Sequence, residues 1–291
     1  MKIGLKDVDG HNFPNLALMK ISAYHKSKRD VVDWINHFEH YDIAYKAKVF
    51  TSEYTKDDDT VIMADEIFKG GTGYDLQNKL PFEIEHQYPD YDLYNIKDEA
   101  YGFLTRGCPR NCEFCIVGEK EGLKSYTVSN LQEFWKNQKT IKLLDPNLLA
   151  SKDKYDLLQQ LLDSKAWIDF TQGLDIRFMT DKTTDYINQL KIKMIHFAWD
   201  NYEFKTYKKL KHFRPKLNYN ERKLRVYVLT NFNTTMEQDL ERIYKLRELK
   251  YDPYVMIYDK PKAPKKIKEM QRWVNNKFIW RVCERFEDYK K

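Results

Sequence analysis

The residues best suited to chemistry are three cysteines that lie within eight positions of one another. Three residues separate Cys108 from Cys112 and two separate Cys112 from Cys115, whereas Cys283 stands alone near the carboxyl end. In a reducing compartment, such crowding indicates metal binding rather than disulfides. Three thiolates on one short loop can hold three irons of a cubane 4Fe-4S cluster, and the fourth iron then has no protein ligand. An open metal position is a place where a substrate can bind.

A structural zinc site is the alternative interpretation of this loop. Zinc in such sites takes four protein ligands, commonly supplied as two pairs. No second Cys/His pair follows the loop, and none of the seven histidines lies close to it in sequence. The spacing therefore favours the iron–sulfur cluster, and Cys283 is expected to be an inert, packed thiol.

The elements that must position this loop follow a pattern of alternating strands and helices, which predicts an α/β fold. We expect a small doubly wound, Rossmann-like domain with a connector over residues 1–95, and a second domain over 96–291 that ends in a helical extension. The first domain has a helix near Asn15–Lys28 and strands near Lys2–Val8, Val31–Ile35, Ile43–Phe50 and Val61–Ile67. The second has strands near Ala100–Leu104, Thr140–Leu144, Trp167–Thr171, Met194–Trp199, Leu224–Leu229 and Pro253–Tyr258. Six strand–helix units predict a partial (β/α)6 barrel with its site at the carboxyl ends of the strands.

Helix starts are marked by residues with capping-box spacing. Ser129 with Gln132, and Thr234 with Glu237, are the two predicted pairs. The helix after Thr234 is expected to bury an apolar stripe that includes Leu240.

The cysteine spacing resembles the signature of the radical S-adenosylmethionine (SAM) superfamily. The resemblance implies that Cys108, Cys112 and Cys115 ligate a 4Fe-4S cluster and that SAM chelates the open iron through its amino and carboxylate groups. It also implies reductive cleavage of SAM to a 5′-deoxyadenosyl radical, with a flavodoxin or ferredoxin as electron donor. Phe114 occupies the position of an aromatic near the adenine, and Gly107 is expected to supply the tight backbone of the loop.

Two later segments provide further candidates for cofactor binding. Where many superfamily members carry Gly-Gly-Glu, this chain has Asp145 in the sequence Leu-Leu-Asp-Pro-Asn, and Asp145 is either the acid that meets SAM or the start of a turn. The segment Gln-Gly-Leu-Asp-Ile-Arg resembles one in cobalamin-type radical SAM proteins. Its Gln172, Asp175 and Arg177 are predicted to contact the cofactor, because Arg binds a carboxylate through two hydrogen bonds. A surface salt-bridge cluster is the alternative, and Asp200 either faces the same rim or caps a helix.

The first domain resembles the cobalamin-binding type of domain found in some radical SAM proteins. Its Gly70-Gly71-Thr72-Gly73 loop is of the kind that lets a ligand approach the backbone. The cobalt-ligating His motif is only approximated, by Asp9-Gly10-His11. Two interpretations stay open: cobalamin binding, which would imply methyl transfer, and a degenerate domain that helps to form a substrate surface.

Composition restricts the remaining function classes. The net charge of +6 does not by itself indicate nucleic acid, and the basic, aromatic run Lys205–Arg225 is interpreted as a solvated helix and loop rather than an RNA site. No stretch approaches the ~18 to 20 apolar residues of a membrane span, and the amino terminus lacks the apolar core of a secretory signal. We expect a cytoplasmic radical SAM enzyme with an unknown substrate; the alternative is a non-catalytic, metal-containing RNA-binding module.

Overall fold

The computed structural model describes residues 1–10 and 13–289. The strands, in chain order, are β1 Lys2–Asp7, β2 Val31–Trp34, β3 His40–Ala47, β4 Met63–Gly70, β5 Glu99–Gly102, β6 Thr105–Arg106, β7 Tyr126–Thr127, β8 Thr140–Leu143, β9 Trp167–Phe170, β10 Lys191–Ala198, β11 Leu224–Thr230 and β12 Asp252–Ile257. The α-helices are α1 Leu16–Ser27, α2 Phe82–Glu85, α3 Val117–Glu121, α4 Lys154–Ser164, α5 Asp181–Gln189, α6 Phe204–Phe213, α7 Met236–Glu248, α8 Lys265–Asn275 and α9 Lys277–Val282. Each strand predicted from the sequence overlaps an observed one, and the mixed α/β class is confirmed.

The chain divides into two compact units. The first comprises Met1–Gly102 and Ser129–Lys139, and the second comprises Phe103–Val128 and Thr140–Lys291. No helix in the described part of the chain combines the length and apolar character that a bilayer crossing requires.

The first unit is built on a four-stranded parallel sheet with the order β2-β1-β3-β4. Helix α1 begins after Asn15, whose side chain caps the first turn by accepting backbone hydrogen bonds. Its Leu18 and Ile21 are buried in one cluster with Ile3 and Leu5 of β1. Burying these four side chains against one another stabilises the unit through the hydrophobic effect.

The expected doubly wound arrangement of this unit is wrong in one respect. Among the described residues that connect the four strands of this sheet, only the connection from β1 to β2 contains an α-helix. The β2–β3 connection consists of residues 35–39, which is shorter than the roughly ten residues that a helical crossover requires. The β3–β4 connection, residues 48–62, contains turns and bends but no helix.

The second unit places five parallel strands side by side in their chain order, from β8 to β12. A helix follows each strand before the next element of the series, as the sequence predicted. Along these strands, side chains alternate between two faces of the sheet. The residues of one face, which include Ile168, Phe197, Val226 and Val255, are completely buried. The other face carries polar side chains that are described below with the site.

Both capping boxes form one residue later than predicted. The observed pairs are Asn130 with Glu133 and Thr235 with Gln238. At the start of α7, the hydroxyl of Thr234 donates to the buried carboxylate of Asp239 at 2.6 Å. The next residue, Thr235, caps the helix.

Candidate functional site

The cysteine loop leaves β6 through a backbone turn that only glycine can adopt. Gly107 has a φ of +78°, and a Cβ atom there would lie 2.0 Å from the carbonyl oxygen of Lys124. The carboxylate of Glu121 accepts hydrogen bonds from the Gly107 N–H at 3.0 Å and from Arg106 at 2.8 Å. These contacts support the predicted role of Gly107, because they fix the entry to the loop before its first cysteine.

All three cysteines of the loop are free thiols. Cys108 and Cys112 are partly buried, and Cys115 is exposed. Desolvation raises the pKa of Cys112, against the opposing charges of Arg110 and Arg177. It also raises the pKa of Cys115. Since metals bind thiolates, loading a metal onto this loop would release protons from these thiols.

Asn147, which follows β8, joins the cysteine loop to the end of β9. Its Nδ2 donates to Sγ of Cys108 at 3.4 Å and to Oδ2 of Asp175 at 3.3 Å. Its Oδ1 and the Nε of Arg110 are buried without a hydrogen-bond partner among the described residues. Buried polar atoms normally have partners, so orphaned atoms next to free thiols are a feature expected of a ligand site. The donor set therefore fits an iron–sulfur cluster with a polar ligand beside it.

Asp175 and Arg177 form a shielded ion pair. Nε of Arg177 lies 2.6 Å from Oδ1 of Asp175, and a terminal amino group lies 3.1 Å from Oδ2. The two side chains are only 8% and 19% exposed, so the pair is not a surface salt bridge. This fork occupies two donors of Arg177, and a bound carboxylate would have to share the guanidinium with Asp175. Gln172 is exposed, and no side-chain hydrogen bond is formed by it within the described residues.

Asp145 uses its carboxylate inside the chain. It is 3% exposed and accepts from the backbone N–H of Leu104 at 3.1 Å and of Thr105 at 2.5 Å. The Thr105 hydroxyl donates to the same oxygen at 2.7 Å. Burial raises the pKa of Asp145 to about 6. Because the chain itself supplies three donors, the contacts give Asp145 a positioning role near the start of the cysteine loop and do not support the predicted grip on SAM.

Asp200 follows β10 and lies within electrostatic range of Cys112 and Cys115. Burial raises its pKa to about 6, and the charge of Arg177 opposes that shift. Helix α6 is capped at Glu203, so Asp200 does not cap it. Of the two predicted roles, facing the rim of the site agrees with this placement.

Arg242 of α7 donates hydrogen bonds to the backbone at the ends of β10 and β11. It donates to the carbonyl of Trp199, to that of Asp200 at 2.7 Å and to that of Leu229 at 2.7 Å. It also pairs with Asp239 at 2.5 Å, and both side chains are completely buried. The sequence predicted an apolar stripe on α7 and did not predict this charged pair. The i, i+3 spacing of the two charges was the signal that could have revealed the pair.

Aromatic side chains from three segments meet beside the loop. Phe114 contacts Phe232 edge to face, with ring centroids 5.6 Å apart, and Phe232 contacts Tyr258 in the same way at 4.9 Å. Tyr258 directly follows β12, and Phe232 lies two residues after the end of β11. The structure thus places the predicted adenine-side aromatic in a cluster at the carboxyl ends of strands.

The polar face of the second unit's sheet was not foreseen. His196 lies beside Arg225 in register, and Arg225 lies beside Asp252. Both Nε and a terminal amino group of Arg225 donate to Asp252, at 3.0 and 2.9 Å. The His196 ring stacks on Tyr227 at 4.9 Å. Alternation of charged and apolar residues along β9 to β12 was the available signal.

The glycine loop predicted to admit a ligand accommodates the chain's own backbone. A Cβ atom at Gly71 would lie 2.3 Å from the carbonyl oxygen of Lys48. Asp9 accepts a backbone hydrogen bond from Val49 at 2.5 Å. His11, the histidine of the approximate cobalamin motif, lies outside the described residues. These contacts account for the glycines without cobalamin.

The arrangement of possible metal ligands bears on the zinc alternative. No group of three or more His, Cys, Asp or Glu side chains in residues 1–10 and 13–289 is placed to hold a metal ion. Structural zinc needs four ligands around one point. A cubane distributes its thiolates over different irons, and the thiols need not converge on one metal. Cys283 is partly buried and its thiol donates to the carbonyl of Arg285 at 3.1 Å, as suits an inert thiol.

Comparison with known proteins gives no family assignment. No protein-family model matches the chain, and no curated protein matches it significantly. Its function must therefore be inferred from the site.

Proposed function

We propose that this chain is a radical SAM enzyme that holds a 4Fe-4S cluster on Cys108, Cys112 and Cys115. One observation carries the proposal: a loop with three free thiols lies beside polar side chains that follow successive parallel strands, and two buried polar atoms there lack partners. Ligands bind at the carboxyl ends of the strands in such α/β arrangements. The chain order of β8 to β12 supports the further proposal of a partial (β/α)6 barrel.

The cofactors would supply the bond-breaking chemistry. When both are bound, the cluster held by Cys108, Cys112 and Cys115 would pass one electron from a flavodoxin or ferredoxin to SAM, and the cleavage of SAM would supply the radical chemistry for the substrate. The protein's share is to bind and orient these groups.

The residues around the loop divide this work. Asn147 donates to Cys108 and so orients that thiolate, while its free Oδ1 can accept a hydrogen bond from the amino group of SAM. Asp200 offers a second acceptor near Cys112 and Cys115. Phe114 with Phe232 forms the apolar wall for the adenine.

Anaerobic turnover tests the proposal. Reconstituted wild-type chain, incubated with SAM and dithionite, is expected to release 5′-deoxyadenosine, measured by liquid chromatography and mass spectrometry. Cys112→Ala should abolish the release, because a cubane needs all three thiolates here. Cys283→Ala is the matched control and should behave as wild type. Release that persists in Cys112→Ala, or a cluster-loaded wild type that leaves SAM intact, would overturn the assignment.

A further inference from the structure

The segment that contains α6 is strongly basic. Residues 204–220 contain six lysines and arginines and no aspartate or glutamate. Without these six, the chain's 50 basic residues fall to 44, which equals its 44 acidic residues. Residues 204–220, which comprise α6 and the turns that follow it, thus carry six positive charges with no acidic residue among them and form a positive surface.

The lysines of α6 are available to a ligand. Lys205, Lys208 and Lys211 are exposed, and none of them forms an ion pair within the part of the chain that the structure describes. Lys208 and Lys211 follow Phe204 at i+4 and i+7, and Lys205 precedes Lys208 by three residues, so the four side chains occupy neighbouring positions on the helix surface. Lys208 lies 4.8 Å from the ring of Phe204.

A stack of three aromatic rings leads from the candidate site to this surface. Trp199, adjacent to Asp200, stacks on Tyr207 at 5.7 Å with an interplanar angle of 23°. Tyr207 stacks on Phe204 at 5.8 Å and 30°. Trp199 is 2% exposed and Phe204 is 62% exposed, so the stack begins in the core and ends in solvent. The outermost ring is a large apolar surface that the described residues leave open.

We propose that this face of α6 binds a single-stranded nucleic acid, with phosphates on Lys205, Lys208 and Lys211 and a base stacked on Phe204. Lysines that track a backbone, combined with an exposed aromatic ring, form the usual platform for single strands. A duplex keeps its bases stacked inside and cannot offer one to the ring. The exposed end of the aromatic stack is what distinguishes this surface from the solvated helix expected from sequence. Binding here requires neither a cluster nor SAM, so it stands independently of the proposed enzyme activity.

Fluorescence anisotropy with a labelled, mixed-sequence RNA of about 12 nucleotides tests the proposal. The wild-type chain should bind it and should bind the matching duplex more weakly. With three phosphate contacts and a slope of about 0.7 per phosphate, a fourfold rise in salt should weaken binding about 20-fold. Phe204→Ala should weaken it about 5- to 100-fold, whereas Phe278→Ala, at a Phe that is 81% exposed, should not.

Charge variants show whether binding depends on the three lysines of α6 or only on the overall positive charge of the chain. Lys205→Gln, Lys208→Gln and Lys211→Gln together should weaken binding at least about tenfold and reduce the salt slope. Lys260→Gln, Lys265→Gln and Lys266→Gln make the same charge change at other exposed sites and should have little effect. Equal losses in the two triple variants, or no loss in Phe204→Ala, would overturn the proposal. Competition by a polyglutamate peptide as strong as that by RNA would point to an acidic protein partner and would also overturn it.

Discussion

Individual side chains at the site differ in whether the chain itself satisfies them. Asn147 keeps a buried amide oxygen without a partner, and Arg110 keeps a buried nitrogen. Asp145, by contrast, accepts three hydrogen bonds from Leu104 and Thr105. An unsatisfied buried atom costs about 1–3 kcal/mol, so its persistence is explained most simply by a ligand that supplies the partner. Asp145 instead stabilises the backbone near the cysteine loop.

The raised pKa of Asp145 predicts a pH dependence of stability. The folded carboxyl titrates at about 6, above its ordinary value of 3.8, so the native state binds the proton more tightly than the unfolded state does. As the pH rises from about 4 to about 6, the free energy of unfolding should therefore fall. This group should account for about 3 kcal/mol of the fall. Asp145→Asn keeps the accepting oxygen and should remove this contribution, so that the fall due to Asp200 remains.

Urea unfolding followed by tryptophan fluorescence across this pH range measures the effect. Asp200→Asn is the matched control: burial also raises the pKa of Asp200 to about 6, and that variant should leave the slope due to Asp145 in place. A profile unchanged by Asp145→Asn would show that its carboxylate is not the titrating group.

Two glycines near the cysteines allow a controlled test of the loop geometry. Gly107→Ala should prevent most iron loading, because its Cβ atom would collide with the carbonyl of Lys124 at 2.0 Å. Gly122 also has a positive φ, +92°, but a Cβ atom there would meet nothing within 4 Å. Gly122→Ala should thus cost about 1–3 kcal/mol of backbone strain but, without a steric clash, should keep most of its iron. Iron analysis after anaerobic reconstitution decides; equal iron in Gly107→Ala and wild type would contradict the account.

At the scale of elements, the sequence predicted positions well and boundaries less well. Apolar periodicity was sufficient for the strands, because each strand of the second unit buries one of its faces. The doubly wound first unit was overpredicted, because alternating apolar runs do not reveal whether a connection is long enough for a helix. The role of α7 was missed, because a stripe of apolar residues does not show that a charged pair lies among them. The cysteines were identifiable from spacing alone, whereas Asn147 depends on a contact between segments distant in sequence.

The buried pair on α7 predicts a large effect on stability. Arg242→Met should destabilise the protein by about 3–5 kcal/mol, because it leaves Asp239 charged and buried and removes the donors to the ends of β10 and β11. The double variant Asp239→Leu with Arg242→Met should cost less than the sum of the two single changes. Chemical denaturation of the four proteins measures the coupling; additive losses would mean that the two charges do not act as a pair.

At the scale of the whole molecule, the residues of the candidate site lie in one of the two units. The candidate site residues all belong to the second unit. In the first unit, the glycine loop and Asp9 contact the chain's own backbone. We therefore predict that the first unit serves as a scaffold or substrate surface rather than as a cobalamin domain.

Cobalamin retention tests that difference. After incubation with hydroxocobalamin and desalting, the chain should show no corrin absorbance. The backbone carbonyl of Lys48 already fills the space beside Gly71, so a ligand cannot approach the backbone there. The cluster-loaded and cluster-free forms should behave alike. A stoichiometric corrin spectrum would restore the cobalamin interpretation and, with it, methyl transfer.

The most direct test of the central claim is the iron and acid-labile sulfide content of the wild-type chain reconstituted without oxygen. The three thiols on the Cys108–Cys115 loop predict about four irons and four sulfides per chain. Zinc in their place, or no retained iron and sulfide, would contradict the account.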